Sequence, residues 1–175
     1  MKSNDESLIF LVGFMGAGKS SVGRAMAELI GFDFLDLDEI IESRAGKTIS
    51  AIFAEDGEQA FRRMEREAII DCGRRKRTVI ALGGGAYISE ENRDAVRRLG
   101  KSVWLDCPLD ICLKRTAGDN SRPLLKGEAE MRRLYESRLP FYLLADFVVK
   151  SIDESIEETA RCIVEMLGEE WQRIS

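Results

Sequence analysis

No histidine occurs anywhere in the chain. Its absence excludes Ser-His-Asp and Cys-His nucleophilic catalysis and histidine-held metals, and leaves carboxylates, lysine, arginine and bound metal as the available catalysts. Long apolar runs are missing too: no segment is both hydrophobic enough and long enough to cross a bilayer. The stretch MKSNDESLIFLVG carries acidic residues where a secretory signal would be basic, so a cytoplasmic protein with no membrane partner is expected. A basic excess is also lacking. The formal net charge is −5, which argues against a dedicated nucleic-acid binder. No C-x-x-C pair occurs among Cys72, Cys107, Cys112 and Cys162, so the four read as buried thiols and not as metal ligands or disulfides.

What is present is the composition of one globular domain: 175 residues, 45% of them hydrophobic and 33% charged, enough for a substantial core. No repeat, low-complexity tract or linker interrupts it. Apolar runs of strand length occur at 8–12, 32–37, 78–82, 102–105 and 146–149, separated by stretches of helical periodicity. Near-continuous apolar strands alternating with helices predict an α/β fold, a parallel sheet covered on both faces. Two segments break the rhythm. Between Asp38 and Arg75 there are about two helices' worth of chain, broken at RAGKT and EDGE, where one crossover would be enough, and this reads as an insertion at the sheet's edge. The stretch TAGDNSRPLLKGEAE, 116–130, mixes Gly, Asn, Ser and Pro with Arg122 and Lys126 and reads as a lid loop. A final helix is expected over about 153–167.

The strongest chemical signal is GFMGAGKSS, Gly13 to Ser21, which matches G-x-x-x-x-G-K-[ST] between a strand, LIFLV, and a helix, SVGRAMAELI. Its backbone N–H groups are suited to wrap a β-phosphate, Lys19 to reach the β- and γ-phosphates, and the Ser20 hydroxyl to ligate Mg2+. Phosphate binding does not name a reaction, because switches, motors and kinases share the loop. No Asn-Lys-x-Asp guanine reader is present. Asp36 and Asp38 alternate at the end of the second strand, so both should point toward the carboxyl edge, one to help hold a metal and one to accept a hydroxyl proton. The competing reading is a solvated pair in which Asp38 caps the next helix.

Three further features stand out. EQAFRRMEREAII, 58–70, reads as a helix with Phe61, Met64, Ala68 and Ile69 on one stripe and Arg62 at its edge. Taken alone, Arg62 is better explained by i,i+4 pairing with the neighbouring glutamates than by ligand binding, and Arg138, near a helix end before Pro140, invites the same caution. The two matter only if they converge, since a guanidinium fork recognises a carboxylate with two parallel hydrogen bonds. VIALGGGAY, 79–87, places three glycines after a strand, which suggests a backbone that something approaches with no room for a Cβ.

In order and spacing, GFMGAGKSS, DLD at 36–38, FRRME at 61–65, GGG at 83–85, RPLL at 122–125 and R-x-P-x-Y at 138–142 resemble shikimate kinase over nearly the whole chain. The resemblance implies a three-layer α/β/α P-loop fold with a five-stranded parallel sheet. It further implies a monomer with a helical acceptor-binding insertion at about 37–65 and a lid at about 116–128. It implies transfer of the γ-phosphate of ATP to the 3-hydroxyl of shikimate, in aromatic amino acid biosynthesis, with Mg2+ as cofactor. By position, Asp38 would bind shikimate hydroxyls and serve as base, Asp36 would support Mg2+ through water, and Ser20 would ligate it. Arg62 and Arg138 would clamp the substrate carboxylate, with Gly83, Gly84 and Gly85 lining the acceptor pocket so that the ring lies against the main chain. Gly16, Ala17, Gly18, Lys19, Ser20 and Ser21 would bind ATP, with Lys19 and Arg122 as catalytic cations. Arg115 would stack on adenine and Ser155 would contact ATP. Ser21 departs from the threonine usual in the family, and KSIDES at 150–155 matches by position only.

Overall fold

Five apolar residues in succession, Leu8–Val12, form strand β1, and every one of them is buried. A computed structural model describes residues 8–116, 127–151 and 155–174. After β1 the order is α1 (Lys19–Ile30), β2 (Asp33–Asp36), α2 (Leu37–Ala45), α3 (Ile49–Glu55), α4 (Glu58–Cys72) and β3 (Thr78–Ala81). A 3-10 turn at Ala86–Ile88 leads to α5 (Glu90–Leu99), β4 (Lys101–Asp106), α6 (Leu109–Thr116), α7 (Glu128–Tyr142), β5 (Phe147–Lys150) and α8 (Ile156–Ile174).

The strands make one parallel sheet in the order β2-β3-β1-β4-β5. β1 is central, with β3 on one side and β4 on the other. The chain therefore winds one way to build β2 and β3 and the other way to build β4 and β5. In such a sheet the crevice opens beyond the carboxyl ends of the strands where the winding reverses. Three loops meet there: the one after β1, the glycine triplet after β3, and the turn from β4 into α6.

The central strand β1 is apolar throughout because helices cover both faces, and each buried Leu, Ile or Phe side chain there contributes roughly 1.5–3 kcal/mol. The edge strands differ from the expected pattern. β2 and β5 keep partly exposed positions, since each lacks a neighbour on one side. Sequence breaks place the helix ends: Gly31 and Gly46 adopt left-handed conformations at the ends of α1 and α2, and Thr48 and Ser89 cap α3 and α5.

Several expectations need correction. The chain between Asp38 and Arg75 holds three helices, because both breaks interrupt it fully. α7 continues through Pro140 to Tyr142. α8 starts later and runs further than the expected 153–167. Cys72, Cys107 and Cys112 are buried, but Cys162 is exposed on the outer face of α8. Among the described residues no helix is long and apolar enough to cross a membrane.

Candidate active site

The loop after β1 folds back on itself because its glycines permit it. Gly16 has φ 77°, and a Cβ there would lie 2.5 Å from the Cys112 carbonyl oxygen of α6, so neither the conformation nor the space admits another residue. Lys19 is buried, and its Nζ donates to the carbonyls of Gly13 at 2.9 Å and Phe14 at 2.8 Å, which holds the ammonium across the loop. The Ser20 hydroxyl donates to Asp36 Oδ2 at 2.5 Å, joining the start of α1 to the end of β2. A cavity of about 180 Å³ opens here, lined by Gly16, Gly18, Lys19, Ser20, Ser21, Asp36, Asp38, Leu82 and Gly83.

Both aspartates reach this cavity, though not by strand alternation. β2 ends at Asp36, which caps α2 by accepting the Asp38 N–H at 3.0 Å on Oδ1, and Asp38 already lies in the first helical turn. A two-residue step across a strand end and a helix cap turns the chain, and it is this turn that brings Asp38 beside the glycine triplet. The capping role proposed for Asp38 belongs to Asp36.

The triplet shows what comes so near. A Cβ on Gly83 would lie 2.8 Å from Asp38 Oδ1, one on Gly84 3.2 Å from Arg138 Nη1, and one on Gly85 2.9 Å from both Nη1 and Nη2 of Arg62. Three charged side chains from α2, α7 and α4 thus each rest against one glycine. The neighbours that crowd the main chain are the protein's own acid and two arginines. All three carbonyls of the triplet are also occupied: Gly83 accepts from Ala86 N–H at 3.0 Å, Gly85 from Ile88 N–H at 3.2 Å, and Gly84 from the Tyr142 hydroxyl at 2.5 Å. What the turn has left for a ligand is N–H, which suits an oxygen acceptor.

The electrostatics follow from burial. Arg62 makes the helical pairs of the solvated-face reading, to Glu65 through Nη1 at 3.1 Å and to Glu58 through Nη2 at 3.4 Å, and also abuts Gly85. Glu65 is only 1% exposed, and burial pushes its carboxyl up to about 6. The Arg62 charge works against that rise, the Asp38 carboxylate adds to it, and Arg138 lowers it slightly. Arg138 is buried, lies over the Phe14 ring, and has an Nη1 with no hydrogen-bond partner. A buried guanidinium N–H left unpaired is costly, and an arriving carboxylate would relieve that cost.

Sequence reasoning did not single out Glu65 or Tyr142. The signal for Glu65 was its place on the buried stripe with Phe61, Ala68 and Cys72, a charge where periodicity demands an apolar residue. For Tyr142 no local signal existed beyond its spacing from Arg138.

Other site residues lie as follows. Arg115, on α6, points its Nη1 at the Gly16 carbonyl at 3.5 Å and at Cys107 Sγ at 3.8 Å, beside the phosphate loop. Ala17 is fully buried within that loop. Ser155 is exposed and caps α8: its hydroxyl accepts the Glu158 N–H at 3.2 Å, and its own N–H donates to Glu158 Oε2 at 2.9 Å. That capping box accounts for Ser155 without a ligand. Arg122, with 117–126 of the expected lid, lies outside the described residues.

Residues 15–168 match the family model described as shikimate kinase. A shikimate kinase of Paramagnetospirillum magneticum is 44% identical over 162 residues, 91% of this chain and 83% of that protein. Among solved structures, shikimate kinase from Acinetobacter baumannii in complex with shikimate superposes with a TM-score of 0.90 at 38% identity, covering 94% of each chain. A gluconokinase from Sinorhizobium meliloti matches with a TM-score of 0.60 at 18% identity over 97% of this chain and 98% of that one, a likeness of fold alone.

Proposed function

The chain belongs to the shikimate kinase family, and from that premise we propose how its residues carry the family's reaction. The activity is transfer of the γ-phosphate of ATP to the 3-hydroxyl of shikimate, giving ADP and shikimate 3-phosphate. The observation that carries the residue assignment is the glycine triplet, with Asp38, Arg138 and Arg62 each seated against one glycine, next to the phosphate loop.

In this reading Arg62 and Arg138 hold the substrate carboxylate between them, with triplet N–H groups as further donors. That orients the ring and directs a hydroxyl toward Asp38. The Asp38 carboxylate accepts that hydroxyl's proton as the bond to phosphorus forms. Lys19 meets the β- and γ-phosphates as charge shifts toward the leaving oxygen. Because transfer of a phosphoryl group needs mainly positioning and neutralisation, these fixed charges can supply most of the rate enhancement.

Mg2+ fits the donors present. Ser20 Oγ and an Asp36 carboxylate oxygen are hard ligands 2.5 Å apart at the start of α1, the kind of set Mg2+ takes beside phosphate oxygens and water. Among the described residues no group of three or more acidic, cysteine or histidine side chains could hold a metal alone, as suits an ion that draws most ligands from nucleotide and water. Ser20 would bind it directly and Asp36 through water. When bound, Mg2+ supplies neutralisation of the phosphate charge.

The test is ADP release from ATP and Mg2+ with shikimate, quinate, shikimate methyl ester and gluconate as parallel acceptors. Turnover with shikimate that is lost with the ester supports both acceptor and clamp. Equal turnover with acid and ester would remove the arginines from carboxylate recognition, and turnover with gluconate alone would overturn the acceptor.

A further inference from the structure

We propose that the Tyr142 hydroxyl is a positioning residue for the acceptor's carboxylate: it fixes the middle peptide of the glycine triplet and ties it to the helix that carries Arg138. The inference rests on the acceptor reading above.

The three triplet carbonyls are not held alike. Those of Gly83 and Gly85 accept from backbone N–H groups three residues on, bonds that any tight turn makes for itself. The Gly84 carbonyl accepts from Tyr142 at 2.5 Å, across 58 residues of sequence. With glycine on both sides, the Gly84–Gly85 peptide has little steric resistance to rotating as a unit, since neither residue carries a Cβ. In a trans peptide the carbonyl and the following N–H point opposite ways. Holding the Gly84 oxygen on Tyr142 therefore turns the Gly85 N–H away from Tyr142, and it is against Gly85 that the Arg62 fork rests.

The anchor itself is rigid. Tyr142 is 1% exposed and its ring stacks on Trp104 at 6.0 Å between centroids. It stands one helical turn beyond Arg138 on α7, and Arg138 Nη1 is the nearest atom to a Cβ built on Gly84. One residue thus sets the distance between an arginine and the donors beside it. Burial holds the phenol up at about 12, against the pull of the Arg138 charge and of a hydrogen bond with the Arg138 side chain, so the hydroxyl remains a donor at every working pH.

The experiment compares Tyr142→Phe with Tyr87→Phe, each removing one hydroxyl from an equally buried ring. Tyr87 bonds Ser102 at 3.1 Å and the Leu144 carbonyl at 3.3 Å, away from the triplet carbonyls. Tyr142→Phe is expected to raise KM for shikimate about tenfold with KM for ATP within twofold of wild type. Tyr87→Phe is expected to lower Tm by a similar amount and leave both KM values in place. A Tyr142→Phe variant whose two KM values rise together, or whose Tm alone moves, overturns the proposal, because a purely structural bond would do that. Wild-type turnover with shikimate separates the two levels. Its absence sinks the acceptor reading together with this inference, whereas its presence with an unmoved shikimate KM in the variant sinks the inference alone.

Should Tyr142→Phe not fold, a fluorinated tyrosine at 142 keeps the ring and hydroxyl while lowering the phenol's pKa. The charged or titratable groups facing it are Arg138 and Tyr135 on α7 and Cys112 on α6. Arginine stays charged, Tyr135 is held up at about 12 and the Cys112 thiol is pushed higher still, so none of them titrates in the assay range. KM for shikimate should then rise as the fluorophenolate absorbance appears, and a flat KM across that titration overturns the proposal.

Discussion

Gly85→Ala should leave the fold intact and damage acceptor binding, and the structure gives the size of both effects. Gly85 sits at φ −97°, ψ −10°, a right-handed conformation open to any residue. An alanine there costs no backbone strain, and by restricting the unfolded chain it stabilises by about 0.4–1 kcal/mol. Its methyl group, however, would lie 2.9 Å from both terminal nitrogens of Arg62 and 3.3 Å from Cζ. Normal contact distances begin at about 3.5 Å, so the guanidinium must withdraw by roughly half an ångström or more. It can do so cheaply, being the end of a flexible, one-third exposed side chain. The fold therefore absorbs the methyl by moving the guanidinium on which the proposed clamp depends.

A charge-assisted hydrogen bond contributes about 1.5–3 kcal/mol, and about 1.4 kcal/mol is a factor of ten in affinity. Losing one of the paired Arg62 bonds should raise KM for shikimate about 10- to 100-fold. The KM for ATP, whose proposed seat is the loop after β1, should not change. The assay is steady-state kinetics with each substrate varied in turn, alongside thermal unfolding of the free enzyme. A stable variant with an unchanged shikimate KM would refute the seating of Arg62 on Gly85 as part of the clamp. A drop in Tm of several degrees would show that the turn needs glycine for its own sake.

Gly83→Ala makes the complementary test, since its Cβ would crowd Asp38 Oδ1 at 2.8 Å; kcat should fall more than either KM rises, and a pure KM effect would contradict Asp38 as base. Asp38→Asn should lower kcat by about 10²- to 10⁴-fold with ATP binding retained, and an unchanged kcat removes Asp38 from proton transfer. Glu65→Gln should change how stability depends on pH: the folded protein binds the Glu65 proton more tightly than the unfolded chain, its carboxyl being raised from 4.5 to about 6, so stability from this group is present below 4.5 and lost as pH rises to 6. That rise corresponds to about 2 kcal/mol, so denaturant titrations of wild type and Glu65→Gln should diverge by about this amount between pH 4 and pH 7, and parallel curves would show that Glu65 does not titrate there.

The parts legible in the sequence were those encoded locally. Apolar runs gave the five strands within a residue or two, and the phosphate loop was readable because its glycines, Lys19 and Ser20 fall in one short segment between a strand and a helix. The site's second half was not local. Arg62 and Arg138 come from α4 and α7, and nothing in either segment distinguishes a clamp from a solvated arginine. Arg62 in fact makes both of its helical pairs while also reaching Gly85, so the two readings were never exclusive. The aspartates show how a right placement can rest on a wrong geometry. Strand alternation put Asp36 and Asp38 on one side, whereas a cap at Asp36 does so.

Glu65 gives the physical reason why such a site resists reading by pattern. On a helix built to pack against the core, its position calls for an apolar residue, and ionising it there costs the fold stability. What the charge provides is a fixed partner for Arg62, accepting from one nitrogen with both oxygens and leaving the fork aligned on Gly85. Arg138 shows the same sacrifice from the cationic side, with a buried N–H left unpaired beside Gly84. Local rules describe chains that minimise such costs. The residues that depart from them here are the ones gathered around three glycines, where stability has been given up to hold charges in place before any substrate arrives.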